Sequence, residues 1–320
     1  MLRCAILDDY QNVALSIADW TPLVAAVEVT AFTEHLPTHE ARVEALRGFD
    51  IIVIMRERTP FDAALVRALP NLKLLVTTGP RNFAIDLAAC EAQGVTVCGT
   101  DSLAGTTVDL AWAFILALAR NIPAEVQDFR AGGKWQPRIS LDLAGRQLGV
   151  IGFGRLGARV ARVGVALGMD VLAYTPNLTD ERVKAEGVRR AASLDELLKT
   201  SDFVTIHIVL NAQTKGLIGA RELALMKPTA YLVNTSRGPI VDEGALVDAL
   251  EGERLAGAAL DVFDVEPVPA DHRLRRVERL IATPHIGYVT DGTYRVFFRD
   301  IVEDIAAWLK GAPVRMMTKQ

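Results

Sequence analysis

LGVIGFGRLGARVARVGVALGMDVLAY, residues 148–174, is the stretch whose reading decides the fold. Val150 and Ile151 close a short apolar run, and Gly152, Gly154 and Gly157 form a G-x-G-x-x-G turn. Residues 158–167 carry apolar side chains at helical spacing, and residues 171–174 form a second apolar run. Strand, turn, helix and strand in that order predict a dinucleotide-binding unit. The glycines let the backbone turn tightly and approach a pyrophosphate, whose charge falls on free N–H groups at a helix N-terminus. The motif alone is weak, and its strand–helix–strand setting is what makes it specific. Where such folds place an Asp or Glu to hold the ribose hydroxyls, this chain has Thr175, followed by Pro176 and Asn177. Asp170, at the start of the second strand, reads as a turn residue. There is no carboxylate to repel a 2′-phosphate and no adjacent arginine to attract one, so the choice between NAD and NADP stays open, with NAD slightly favoured.

Outward from this unit, 320 residues of 50% apolar composition suffice for about two domains. A net charge of −4 argues against an electrostatic nucleic-acid surface. Residues 4–7 are too short a run for a signal peptide, and residues 110–119 reach roughly half a membrane span. A soluble cytoplasmic protein with no membrane or nucleic-acid partner is expected. Cys4, Cys90 and Cys98 lack C-x-x-C spacing and read as buried small hydrophobes. His35 and His39 are four apart, but Pro37 between them opposes a helix, so no metal site is expected.

The first hundred residues alternate strand candidates (3–7, 27–31, 51–54, 72–76, 95–97) with helical stretches (41–47, 62–69, 85–93). That alternation predicts a parallel sheet with helices on both faces. Residues 103–120 read as a longer helix starting near Ala104 and Gly105, apolar on nearly every side and bounded by Pro123. Residues 131–139 read as a loop with Trp135 as a packing anchor. From residue 148 about six strands follow: after the first two come residues 203–208, 231–234, 256–260 and 280–282, with Ser193 and Glu196 as a capping box. Residues 290–309 form an amphipathic helix long enough to pack back on the first domain. The expected fold class is α/β, with two doubly wound parallel-sheet domains. A Rossmann dinucleotide-binding domain, residues 101–286, is inserted in a flavodoxin-like substrate domain, residues 1–100 and 287–320.

Polar residues fall at one edge of this pattern, the edge where ligands sit in open α/β sheets. Arg237 follows the fourth strand of the second domain, Asp261 ends the fifth with Glu266 in the loop after it, and His285 follows the sixth. Arginine offers a planar fork that matches a carboxylate and polarises an adjacent carbonyl. Histidine carries a proton near neutral pH and can protonate that oxygen as hydride reaches the carbon, while a carboxylate beside it would orient the ring. Singly each has an ordinary structural reading; together behind a nucleotide motif they predict hydride transfer to a keto acid.

Four motifs in order, GFGRLG, NTSRGPIVDEGAL, GAALDVFDVEP and TPHIG, make the chain resemble the D-isomer-specific 2-hydroxyacid dehydrogenases, which include glyoxylate/hydroxypyruvate reductases and phosphoglycerate dehydrogenases. The resemblance covers nearly the whole chain. It implies that Arg237 binds substrate carboxylate and carbonyl, that His285 is the proton donor and acceptor, and that Glu266 pairs with His285. Hydride would then pass between NAD(P)H and C2 of a small 2-keto or D-2-hydroxy acid, in a cleft between domains. Arg155 and Leu156, with Gly152, Gly154 and Gly157, would approach the pyrophosphate. Thr175 and His207 would lie toward the adenosine end, and Thr235, Ser236, Asp261 and Gly287 toward the nicotinamide end. On the substrate side, Arg56 lies in the motif MRERT, and Thr78 and Gly79 in TTGPRN sit where the family binds the carboxylate with backbone amides. Pro80 has no N–H to give, and Arg81 reads as a solvated residue with a second positive charge as the alternative. Val209 replaces a common family proline. Relatives suggest a homodimer. Two rival readings remain, a nucleotide-sensing corepressor-like binding protein and a formate- or phosphite-type dehydrogenase of the same architecture.

Overall fold

A computed structural model describes residues 1–103 and 105–318, so Ala104, where the long helix was expected to begin, lies outside the described residues. The chain forms two compact units, Met1–Leu103 with Thr290–Gln320, and Ala104–Val289. The second is thus inserted in the first.

The first unit runs β1 (Leu2–Ile6), β2 (Val27–Ala31), α1 (His39–Leu46), β3 (Ile51–Ile54), α2 (Ala63–Ala68), β4 (Leu74–Thr77), α3 (Leu87–Ala92) and β5 (Thr96–Gly99). The strands pair in parallel in the order β2-β1-β3-β4-β5, the flavodoxin-like order. β3 and β4 are buried along their whole length and apolar but for Thr77, as strands covered on both faces are. Each short helix starts on a side-chain cap: Thr38, Asp62 and Asp86 accept from the N–H groups of Ala41, Leu65 and Ala89.

The second unit begins with α4 (Thr106–Ala119) and α5 (Ile122–Arg130). It continues through β6 (Gln147–Ile151), α6 (Arg155–Ala166), β7 (Asp170–Tyr174), α7 (Asp180–Lys184), β8 (Arg189–Arg190), α8 (Leu194–Thr200) and β9 (Phe203–Ile206). It closes with α9 (Ala220–Leu225), β10 (Tyr231–Asn234), α10 (Glu243–Glu251), β11 (Gly257–Leu260) and β12 (Leu280–Ala282). The seven strands pair in parallel in the order β12-β11-β10-β9-β6-β7-β8, which reverses at β6 and β9 as in a Rossmann sheet.

Several local expectations are corrected. Pro123 does not end the helical region; it stands in the first turn of α5, where its missing N–H costs nothing. α4 is not buried all round, since Asp109, Ala113 and Leu116 form an exposed stripe. Trp135 is 79% exposed and anchors no core. Asp170 is no turn residue but the first residue of β7, paired with Arg189. In the capping box, Ser193 accepts from Glu196 N at 3.1 Å, but Glu196 reaches back to Ala192 N rather than to Ser193. The three cysteines are free and buried, and burial pushes the Cys4 thiol up to about 12.

The chain returns to the first unit as α11 (Asp291–Leu309), which packs against β4 and buries Phe297, Phe298, Ile301 and Ile305. Beyond it, Arg315 O accepts from Gly99 N at 3.0 Å and Met317 N donates to Val97 O at 2.8 Å, so the tail covers the edge strand β5. Arg315 Nε donates to Asp304 Oδ1 at 2.9 Å, while Asp304 Oδ2 is buried with no hydrogen-bond partner. Burial lifts the Asp304 carboxyl to about 7 despite the Arg315 charge. The folded state therefore favours protonated Asp304, and its stability falls as pH rises from about 4 through about 7. Melting between about pH 5 and pH 8 should show that fall, and Asp304→Asn should flatten it, raising stability at the upper pH by roughly 3 kcal/mol.

Candidate active site

All strands of the second sheet are parallel, so the residues after each strand collect at one carboxyl edge. β6 delivers the glycine turn. α6 begins at Arg155, three residues earlier than the apolar spacing implied, because that spacing marks the buried face (Val160, Ala161, Gly164) and not the first turn. Gly152 has φ +96° and a side chain there would meet His207 O at 2.5 Å. A methyl group on Gly157 would overlap Gly152 O, so helix and strand approach through bare backbone. Gly157→Val should therefore weaken both cofactor binding and the fold of this unit, by several kcal/mol of overpacking strain, read by thermal melting and NADH titration.

Gly154 faces open space, with nothing within 4 Å of a side chain built there, and it caps α6 without any side-chain bond. The first-turn N–H groups, among them those of Arg155 and Leu156, thus border a cradle of the kind a pyrophosphate fills. A second sign of a ligand is Thr235 Oγ1, buried and without a partner. Both features fit a dinucleotide.

Thr175 lies half-buried just past β7, its carbonyl accepting from Leu178 N at 3.1 Å. The arginines of the segment after it are already engaged: Arg182 Nη2 donates to Phe153 O at 2.8 Å, and Arg190 pairs with Asp180. His207 follows β9, its Nε2 2.9 Å from Thr205 Oγ1. Burial pushes its imidazole down to about 4, which leaves the ring uncharged near neutral pH and unsuited to proton transfer there.

β10 ends in Asn234, whose buried amide organises the next turn. Its Oδ1 accepts from Ser236 N at 3.0 Å and its Nδ2 donates to Arg237 O at 2.9 Å. Ser236 Oγ donates to Ile208 O at 2.6 Å, tying this turn to the loop after β9. Arg237 is half-buried, with Nη1 2.7 Å from Ser236 O. Asn234 was missed by sequence reasoning; the signal was an amide side chain one turn before the arginine it positions.

β11 and β12 supply the rest. Asp261 is 1% exposed; Oδ1 accepts from Thr283 Oγ1 at 2.6 Å and Ile286 N at 2.7 Å, and Oδ2 from Gly287 N at 2.8 Å. Burial raises its carboxyl above the ordinary range, while those three hydrogen bonds pull it back down. Asp261 is thus a clamp on the loop that carries His285. His285 itself has φ +54°, a left-handed backbone that costs a residue with a side chain on the order of 1 kcal/mol or more. The surrounding bonds hold it there. His285 Nδ1 lies 2.6 Å from Glu266 Oε2, and Glu266 Oε1 accepts from Phe263 N at 2.9 Å. The structure so brings Glu266 and His285 into contact and sets Arg237 at the end of β10, with β11 between it and β12. Neighbouring strands lie about 4.8 Å apart.

In the first unit, Arg56 lies just past β3 with φ +53°, its N–H donating to Thr78 Oγ1 at 2.9 Å. Asn82 Nδ2 donates to Arg56 O at 2.6 Å and to Thr77 Oγ1 at 2.8 Å. Gly79 has φ +86°, and a methyl group on it would overlap the Arg56 guanidinium. Two backbone N–H groups of this segment have partners within the unit, and a third position has none to give. Gly79 N already donates to Thr100 Oγ1 at 2.7 Å, Thr78 N donates to Ile54 O at 3.0 Å, and Pro80 has no N–H. Arg81 is exposed.

Comparison with known proteins agrees with this architecture. Residues 112–287 match the family model described as D-isomer specific 2-hydroxyacid dehydrogenase, NAD binding domain. The chain is 35% identical over 282 residues to a glyoxylate reductase of Korarchaeum cryptofilum, covering 86% of this chain and 84% of that one. It is 37% identical over 268 residues to a D-3-phosphoglycerate dehydrogenase of Archaeoglobus fulgidus, covering 82% of this chain but only 50% of that one. The chain thus spans about half the length of that relative. The crystal structure of a phosphoglycerate oxidoreductase from Vibrio cholerae O395 superposes with a TM-score of 0.92 at 32% identity, covering 98% of this chain and 100% of that one. A nicotinamide-binding Rossmann unit inserted in a flavodoxin-like unit, the four motifs in order and these matches lead to one conclusion: the chain belongs to the D-isomer specific 2-hydroxyacid dehydrogenase family.

Proposed function

We propose that the protein is a nicotinamide-dependent oxidoreductase that interconverts a small 2-keto acid, such as glyoxylate or hydroxypyruvate, and the D-2-hydroxy acid. The observation that carries this reading is the Glu266–His285 pair, 2.6 Å apart, on a strained loop clamped by Asp261. Nicotinamide, when bound, supplies or accepts the hydride at C2. With Nδ1 on Glu266, His285 is assigned to deliver a proton from Nε2 to the carbonyl oxygen and take it back in reverse. The Arg237 fork binds the carboxylate and polarises the carbonyl.

The glycine turn with Arg155 and Leu156 is assigned to the pyrophosphate, and Thr175 and His207 to the adenosine side. Thr235, Ser236 and Gly287 are assigned to the nicotinamide side, where Asp261 acts through the amides it fixes. NAD is the favoured form, since Arg182 and Arg190 in the segment after Thr175 already have partners in Phe153 O and Asp180. Arg56, Thr78 and Gly79 are assigned to the substrate, Arg56 by its guanidinium and the other two by shape. Residues 101–286 make up the nucleotide domain in this reading, and residues 1–100 with 287–320 the substrate domain.

Following the absorbance of NADH and NADPH over a panel of 2-keto acids tests the proposal. Oxidation of NADH with glyoxylate or hydroxypyruvate supports it, and nucleotide binding without turnover of any keto acid favours a sensing protein instead.

The protein is further read as a cytoplasmic homodimer. Three free buried thiols suit a reducing compartment. Among the described residues no single helix is long and apolar enough to cross a membrane. α5 buries none of its side chains and exposes Ile122, Val126 and Phe129 at i, i+4 and i+7. Exposed apolar stripes of this kind mark contact surfaces. Phe129→Glu should shift the mass in solution from dimer to monomer in light scattering; a monomeric wild type would remove the assignment.

A further inference from the structure

Glu266 lies in the loop after β11, and both flanks of that loop are fastened to one side chain at the start of α10. That side chain is Glu243, 19% exposed, in the first turn of the helix. Its carboxylate faces the backbone N–H of Asp264, two residues before Glu266, and its Oε1 lies 3.2 Å from Nε2 of His272, six residues after it. The His272 ring is turned for this contact. Its Nδ1 accepts from Leu274 N at 3.4 Å, which leaves the proton of the neutral ring on Nε2, toward Glu243.

The stretch between Glu266 and His272 moves with that ring. Arg275 donates from Nη2 to Val268 O at 2.7 Å and from Nε to Pro269 O at 2.8 Å, and His272 N donates to Pro269 O at 3.2 Å. Arg273 pairs with Asp248 and Glu251 farther along α10, so the helix splints the whole segment. Upstream, the loop presses backbone to backbone on the turn after β10, since a methyl group on Gly238 would overlap Phe263. Inside this frame Glu266 Oε1 accepts from Phe263 N at 2.9 Å and Oε2 meets His285 Nδ1 at 2.6 Å. The hydrogen bond at one ring nitrogen of a histidine decides which nitrogen carries the proton and how the ring is turned. The placement of the Glu266 carboxylate is therefore the placement of the His285 proton.

We propose that Glu243 is a positioning residue for the reaction: by holding Asp264 and His272, the two flanks of Glu266, it sets that carboxylate on the His285 imidazole. This rests on the reductase reading above. Glu243 acts only through Glu266, so its removal slows proton transfer and leaves the binding of nucleotide and keto acid alone.

The test combines kinetics of hydroxypyruvate reduction with nitrogen NMR of selectively labelled histidine, in which His285→Gln assigns the His285 signals and their shifts report the tautomer. Glu243→Ala should lower kcat about tenfold with KM and NADH affinity nearly unchanged, and should turn the single His285 tautomer into a mixture. His272→Ala, at a side chain 32% exposed, should act in the same direction by less, and it carries the test should Glu243→Ala not fold. Glu243→Gln keeps an acceptor for the Asp264 N–H and should restore most of the loss. In a Glu266→Gln background, Glu243→Ala should lower kcat no further, because both changes act on one contact. Unmoved His285 signals, or losses that add to those of Glu266→Gln, would overturn the positioning role and leave the reductase reading intact. No turnover of any keto acid by the wild type would overturn that reading, and with it the role of Glu243 in the reaction.

Discussion

Replacing His285 with Gln is expected to lower kcat by roughly 10²–10⁴-fold while leaving NADH affinity nearly unchanged, the range a positioned general acid contributes. The expectation comes from the division of labour at the carboxyl edge. In the proposed reading the nucleotide is bound by the glycine turn and the loop after β10, whereas His285 serves proton transfer and is positioned by clamps of its own. Glu266 takes its Nδ1, and Asp261 fixes the backbone at Ile286 and Gly287. A glutamine keeps the polar shape but has no titrating proton to deliver. The loss should therefore fall on turnover and not on cofactor binding, as rapid-mixing rates and NADH fluorescence titration would report. Wild-type turnover in this variant would remove His285 from the reaction. Glu266→Gln should cost less, because Phe263 N and the loop still fix the chain while the charge beside the imidazole is lost.

Arg237→Lys should lower kcat/KM for the keto acid by about 10²–10³-fold, since a compact ammonium cannot reproduce a bidentate fork on a carboxylate and a carbonyl at once. Asn234 and Ser236 hold the Arg237 backbone irrespective of its side chain, so the turn should survive the exchange. NADH affinity should stay close to the wild-type value. A variant with unaltered kcat/KM would place the carboxylate elsewhere.

Much of the fold and the site is legible in the sequence. Strands buried on both faces appear as apolar runs with at most a threonine in them, and helices between them carry their own caps, so both sheets and the insertion follow from pattern alone. Arg237, Glu266 and His285 stand out because each lies just past a strand, where parallel pairing forces convergence. The features that escape depend on backbone geometry or on distant partners. Pro123 looks like a helix stop because its permitted place in a first turn depends on the residues after it. Nothing in TTGPRN announces that the Gly79 amide turns onto Thr100, or that His285 adopts a left-handed backbone. The bond between Asp8 and Thr59 joins loops 51 residues apart, beyond any local pattern.

The central claim, hydride transfer from the ring to C2 of a keto acid, is tested most directly with NADH carrying deuterium at both positions of the reactive ring carbon. Incubated with hydroxypyruvate and the enzyme, it should yield a D-2-hydroxy acid with a single deuterium on C2, seen by mass spectrometry and chiral chromatography. A product without deuterium at C2, or no product from any 2-keto acid under conditions where NADH binds, would contradict it.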